Sequence, residues 1–121
     1  MKRIIATIVL MLPVQITLAD HHKLPDAVSA DPKHYTVEFE NDRIRVIRIK
    51  YGPGEKSVMH SHGPNMAVFL TRNKIRMTFP DGTSAETTTT AGGTDWADAE
   101  EHLPENLSDS SLELVLVELK D

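Results

Sequence analysis

Lys74-Ile75-Arg76-Met77-Thr78-Phe79-Pro80-Asp81-Gly82 decides the fold class. Ile75, Met77 and Phe79 alternate with Lys74, Arg76 and Thr78, the period of a strand that turns one face to a core. Pro80-Asp81-Gly82 then reverses the chain, because proline presets φ and glycine accepts a positive one. Working outward, Ile44 and Val46 alternate with Arg43 and Arg45, after which Ile47, Ile49 and Tyr51 take the opposite phase. That slip of one residue predicts a β-bulge. Residues 112–119 are nearly all Leu and Val, broken by Glu113 and Glu118, which predicts a strand buried on both faces. Turn residues at Gly52-Pro53-Gly54, Gly63-Pro64-Asn65, Gly92-Gly93 and around Pro104 separate these runs. Only the stretch from Trp96 to Leu107 competes for helix, and Pro104 interrupts it. The threonines at 87–90 read as a solvent-facing strand. The expected fold class is all-β, a single-domain sandwich or barrel.

The chain has 121 residues, of which 13 are Lys or Arg and 18 are Asp or Glu, for a formal net charge of −5. An acidic chain without a basic run is not built to neutralise phosphates, so nucleic acid is excluded as a partner. With no cysteine, disulfides and thiolate metal sites are excluded too. Met1-Lys2-Arg3 followed by the uncharged residues 4–19 reads as a signal peptide, 1–19, with a cut after Ala19. The 16 uncharged residues include Pro13 and fall short of the roughly 20 needed to span a bilayer. The sequence therefore predicts a periplasmic or secreted protein with no stable membrane span after cleavage. Residues 20–35 are polar, contain Pro25 and Pro32, and read as an extended N-terminal arm in which His34 is solvated. The barrel domain is expected over 36–120.

The chemistry rests on histidine. Gly54-Glu55-Lys56-Ser57-Val58-Met59-His60-Ser61-His62 carries two histidines at i and i+2, which a strand puts on one face. Ser61 then points to the opposite face, away from any nucleophilic role. Two imidazoles on an inward surface are costly unless their nitrogens are satisfied, and a divalent metal satisfies them well.

These residues resemble the cupin superfamily of small β-barrels. Gly54, His60 and His62 match its first motif in identity and spacing, and His102 with Asn106 match the end of its second. The resemblance covers roughly residues 36–120 and implies a jelly-roll-like, double-stranded β-helix of the RmlC-like, single-domain kind. It also implies that His60, His62 and His102 ligate a metal. The family's glutamate ligand falls on Met66, with Ala67 next, and its closing glycine falls on Asn73. In the second motif the usual Gly, Pro and Gly fall on Ala91, Ala97 and Ala99. Three-histidine iron sites of this kind resemble those of thiol and diketone dioxygenases among the cupins.

Without the glutamate, three neutral imidazoles leave a dication uncompensated, which predicts a small anionic guest. The metal is a divalent ion, with Fe, Zn, Ni, Mn and Cu all compatible with the ligands. The leading reading is an oxygenase or isomerase. A non-catalytic metal or small-ligand binder is the alternative, and a degenerate barrel that serves protein interaction is a third. Met66 has a thioether suited to reduced copper, beside its ordinary use as barrel filling. Cleavage after Ala19 would expose Asp20-His21-His22, which resembles an amino-terminal copper or nickel site. Trp96 is placed near the rim as a pocket residue, Asn106 is a further candidate for the pocket or for supporting the ligands, and Glu100 or Glu101, with Glu101 preferred, is the acceptor or general base beside His102. A homodimer is expected, with the N-terminal arm available to cover a partner's sheet edge.

Overall fold

The computed structural model describes residue 13 and residues 24–121. The expected signal segment and His21 and His22 lie outside the described residues. After a single helical turn, α1 (Ala27–Ala30), nine strands follow: β1 (Tyr35–Glu40), β2 (Ile44–Tyr51), β3 (His60–His62), β4 (Asn65–Phe69), β5 (Lys74–Thr78), β6 (Ser84–Thr88), β7 (Thr94–Ala97), β8 (Glu100–Asn106) and β9 (Leu112–Leu119). They form two sheets, one in the order β1-β2-β9-β4-β7 and the other in the order β3-β8-β5-β6. All ladders between named strands are antiparallel. No helix among the described residues is long and apolar enough to cross a membrane.

The strand Lys74–Thr78 forms as its alternation predicts, and Gly82 takes the positive φ of 86° that ends the turn. Asp81 fixes that turn by accepting from the amide and hydroxyl of Thr83. The core lies between the sheets and is built from Ile47, Ile49 and Tyr51 of β2, Ala67 of β4, Ile75 of β5 and Leu112, Leu114 and Leu116 of β9. Burying each of the larger side chains stabilises the fold by about 1.5–3 kcal/mol.

Several expectations are corrected. The slip between Val46 and Ile47 is not a bulge in β2, which pairs with β9 without interruption. The irregularity sits on the neighbour, where Val37 faces Ile47 and Phe39 faces Val46, leaving Glu38 as the extra residue. Strand β2 keeps one phase because Arg45 takes the inward position and finds carboxylates there. Strand β9 is buried on one face only, since Glu113, Val115 and Val117 are only half-covered while Leu112, Leu114, Leu116 and Glu118 are buried.

The arm is not extended over its described part either. Asp26 caps α1 by accepting from the amides of Val28 and Ser29, and Ala27 is fully buried. His34 is buried rather than solvated, because its ring stacks on Tyr51 at 4.5 Å and its Nδ1 meets Asp31 at 2.6 Å. Residues 24–26 lie along β3 of their own chain, where Pro25 O accepts from the Ser61 amide.

Candidate metal centre

Strand β3 is three residues long, and its alternation points His60 and His62 into the barrel. Ser61 turns the other way and donates its hydroxyl to Leu24 O at 2.7 Å. The register places His102 of β8 directly across from His60. The three rings stand edge to face, with centroids 4.7, 4.9 and 5.1 Å apart. Each is at least 95% buried, and one nitrogen from each lies within 4.8 Å of the other two.

Hydrogen bonding fixes what two of these nitrogens offer. His60 Nδ1 donates to Val58 O at 2.8 Å, and His62 Nδ1 donates to Glu118 Oε1 at 3.0 Å. In its neutral form each ring therefore keeps a lone pair on Nε2, and those two Nε2 atoms face each other at 3.0 Å. Two acceptors cannot satisfy one another, whereas a cation between them is bound by both. Nitrogens each about 2.0–2.1 Å from one ion at a right angle lie about 3 Å apart, so the spacing fits a metal. His102, buried beside them, has no hydrogen-bond partner among the described residues and faces the same space.

Electrostatics keeps the His60 and His102 rings neutral. Burial, reinforced by the neighbouring His62, pulls His60 down to about 4, and burial pulls His102 down to about 3. Neutral imidazole is the form that ligates.

Two carboxylates serve this cluster. Glu118 is buried at the inward end of β9 and pairs with Arg45 at 3.2 Å as well as with His62. The sequence reading took it as an interruption of an apolar strand, although the inward phase Leu112, Leu114, Leu116 and Glu118 marks it. Glu100 alternates with His102 on β8, lies across from His62, and brings Oε1 to 3.6 Å from His102 Nδ1. Burial lifts its carboxyl above the ordinary range, with His62 opposing. Glu101, one residue on, takes the other phase and faces Ser61 in the register, so the carboxylate beside His102 is Glu100. No carboxylate replaces the expected glutamate at position 66 or 67.

A cavity of about 200 Å³ opens from the cluster between the sheets, with Tyr35, Phe69, Met77 and Leu114 on its apolar walls. His62, His102 and Glu100 form its polar end. Tyr35, another residue missed in the sequence, sets its ring edge-on against His60 at 4.9 Å and hydrogen-bonds Tyr51 through the phenols. Met66 and Trp96 do not line this space. They are cross-strand neighbours on the outer face, in a row that runs Phe39, Val46, Val117, Met66, Trp96 across all five strands. Met66 is 37% and Trp96 46% exposed, so the thioether is not offered to a metal at this centre. Asn106 is fully buried but serves the backbone, donating to Gly52 O and Ser110 O and accepting from Ser108 N.

No protein-family model matches the chain, and no curated protein does. Among solved structures, a cupin domain from Bordetella pertussis Tohama I is 27% identical, with 82% of this chain and 98% of that one covered and a TM-score of 0.68. An RmlC-like cupin family protein with a double-stranded β-helix fold from Methanocaldococcus jannaschii is 16% identical, with 74% and 84% covered and a TM-score of 0.56. Oxalate decarboxylase of Bacillus subtilis, a protein with Mn(II) centres, is 19% identical over 66% of this chain and 22% of its own, with a TM-score of 0.53. Two sheets closed in this order around an inward histidine cluster, together with these matches, show that the chain has the cupin fold, a double-stranded β-helix.

Proposed function

We propose that this protein binds one divalent transition metal through His60, His62 and His102 and acts on a small compound held in the adjoining cavity. The observation that carries the reading is the 3.0 Å approach of His60 Nε2 and His62 Nε2, both with lone pairs because both Nδ1 atoms donate elsewhere. Iron, zinc, nickel, manganese and copper all accept such a set. When bound, the ion supplies Lewis acidity and an open position for a guest atom. The chain's own residues do the rest. Val58 O and Glu118 hold the two rings in one tautomer, the apolar walls exclude water, and Glu100 holds or takes up a proton at the polar end.

The guest in this reading is anionic. Arg45 already pairs with Glu118, and no Lys or Arg is among the described residues lining the cavity. With Asp95 and Glu100 among the lining residues, the metal would be the positive charge that an anionic atom meets there, which suits a carboxylate, enolate or thiolate. Oxygenation or isomerisation of such a compound is the activity we assign. Export through residues 1–19 and pairing into a homodimer belong to the same proposal.

Elemental analysis of untagged protein tests the centre, with one equivalent of metal expected in the wild type and none in His60→Ala/His62→Ala. Metal retained by that variant would place the site elsewhere. Oxygen uptake with simple thiols and diketones separates catalysis from metal binding alone. Amino-terminal sequencing that starts anywhere but Asp20 would contradict the cleavage.

A further inference from the structure

The strand that carries two of the three histidines has little to hold it. Strand β3 spans only His60–His62 and has three register pairs with β8 as its only named-strand partner. A short edge strand of this kind does not by itself fix ring positions to the few tenths of an ångström that ligation needs. The missing support comes from residues 24–34, at three separate points.

The first point is the open edge of β3. Ser61, between the two histidines, donates its amide to Pro25 O at 3.0 Å and its hydroxyl to Leu24 O at 2.7 Å. The second runs to His62. Asp26, which caps α1, also accepts from Arg45 at 3.3 Å; Arg45 pairs with Glu118 at 3.2 Å, and Glu118 accepts from His62 Nδ1 at 3.0 Å. The third runs to His60. Asp31 accepts from Ser57 Oγ at 2.6 Å, and that oxygen lies 3.4 Å from His60 Nδ1, beside the bond to Val58 O. His34 Nδ1 holds the same Asp31 oxygen at 2.6 Å, which anchors the carboxylate from the far side.

We infer that residues 24–34 form a clamp that governs how tightly the metal is held, with Asp26 and Asp31 as positioning residues acting on His62 and His60. The clamp rests on the reading of His60, His62 and His102 as metal ligands. Neither aspartate touches the ion's place; each acts through one intermediary side chain or two. Carboxylates behind ligating histidines fix the tautomer and the ring angle, and losing them costs metal affinity about 10–100-fold. Because the two relays reach different rings, their losses combine on a single ion. Ligation and the amino-terminal segment are thereby coupled: whatever displaces residues 24–34 loosens the metal, and a bound metal protects that segment.

The test uses the full chain, Co(II) alone as probe, and two readouts, the Co(II) dissociation constant and the visible absorption of the bound ion. Asp26→Asn/Asp31→Asn is expected to bind Co(II) at least tenfold more weakly than the wild type, with an altered absorption envelope. Glu38→Gln, which removes an exposed pair with Arg48 on another strand, is expected to match the wild type. Wild-type affinity and spectrum in a folded double variant would overturn the clamp. Should that variant fail to fold, Ser57→Ala decides, since it cuts the link from Asp31 to His60 while leaving both aspartates in place, and an unchanged spectrum and affinity there overturn it equally. A wild type that takes up no Co(II) would instead overturn the metal reading itself, and the clamp with it.

Discussion

Glu118 on β9, the middle strand of one sheet, accepts a hydrogen bond at 3.0 Å from Nδ1 of His62 on β3, the edge strand of the other. The bond joins the two halves of the barrel at the centre where they enclose the histidines. Its acceptor is also the buried partner of Arg45, so one carboxylate neutralises a guanidinium and sets a tautomer.

Glu118→Gln should therefore have two effects. The amide oxygen can still accept from His62, but Arg45 keeps only the half-exposed Asp26 as a counter-charge. Breaking a buried pair on one side costs about 3 kcal/mol, which urea denaturation of the metal-free protein would register. Metal affinity should fall about tenfold or more, because an amide is a weaker acceptor than a carboxylate behind a ligating ring. Unchanged affinity would mean that His62 needs no charged acceptor.

Glu100 and Glu101 offer a paired comparison on one strand. Glu100 shares the inward phase with His102 and lines the cavity, while Glu101 faces the other way. Glu100→Gln is expected to weaken metal binding about tenfold, by replacing the carboxylate nearest to His102 Nδ1 with an uncharged, weaker acceptor. Glu101→Gln should match the wild type. Competition with a chelator reads both, and an equal loss in the two variants would point to overall charge rather than placement.

Much of this arrangement was legible in the sequence, and the parts that were not share a cause. Alternation in Lys74–Thr78 and the i, i+2 spacing of His60 and His62 are local signals, and each dictates a strand face. His102 became a candidate only through resemblance, because nothing local tells which distant strand will lie across from β3. Glu118 carried a readable phase but looked like a defect in an apolar strand, since a carboxylate in a core makes sense only once Arg45 and His62 are known to meet it. The choice between Glu100 and Glu101 needed the register of β8, and a one-residue error in register exchanges the two faces. The same reasoning misplaced Met66 and Trp96, whose outward phase follows from Asn65 and Ala67 facing inward.

Acid should destabilise the metal-free protein in a defined window. His60 and His102 stand at about 4 and about 3 when folded, below the ordinary 6.5 that applies on unfolding. Between those values the unfolded chain binds more protons than the folded one, so stability falls as pH drops below about 6.5 and the loss from these groups is complete near pH 3. Glu100 has the opposite sign, since its raised folded value favours the native state as pH falls toward 4.5, but it is one group against two. Pairs such as Glu55, held at about 2 by Lys33 and the Gly52 amide, weaken only below 4.5. Thermal midpoints in chelator should drop steadily from pH 7 to 5, and His60→Ala/His102→Ala should flatten that slope. A double variant with the wild-type slope would assign the acid sensitivity to other groups.

Asn106 separates a role in the fold from a role in the site. Its amide donates to Gly52 O at 3.0 Å and Ser110 O at 2.8 Å, and its oxygen accepts from Ser108 N at 3.1 Å and Asn73 Nδ2 at 3.4 Å. These bonds tie the loop after β2 to the turn between β8 and β9, and none reaches the histidines. Asn106→Ala removes all four bonds and leaves the Ser108 amide without its acceptor, whereas Gly52 O keeps Glu55 N and Ser110 O keeps Asn73 Nδ2; a group so stranded costs about 1–3 kcal/mol where water cannot reach it. The variant should unfold at clearly lower urea yet, while folded, bind metal with wild-type affinity and spectrum. A loss of affinity without a loss of stability would instead draw Asn106 into the metal centre, and would mean that the end of β8 moves with His102 as one unit.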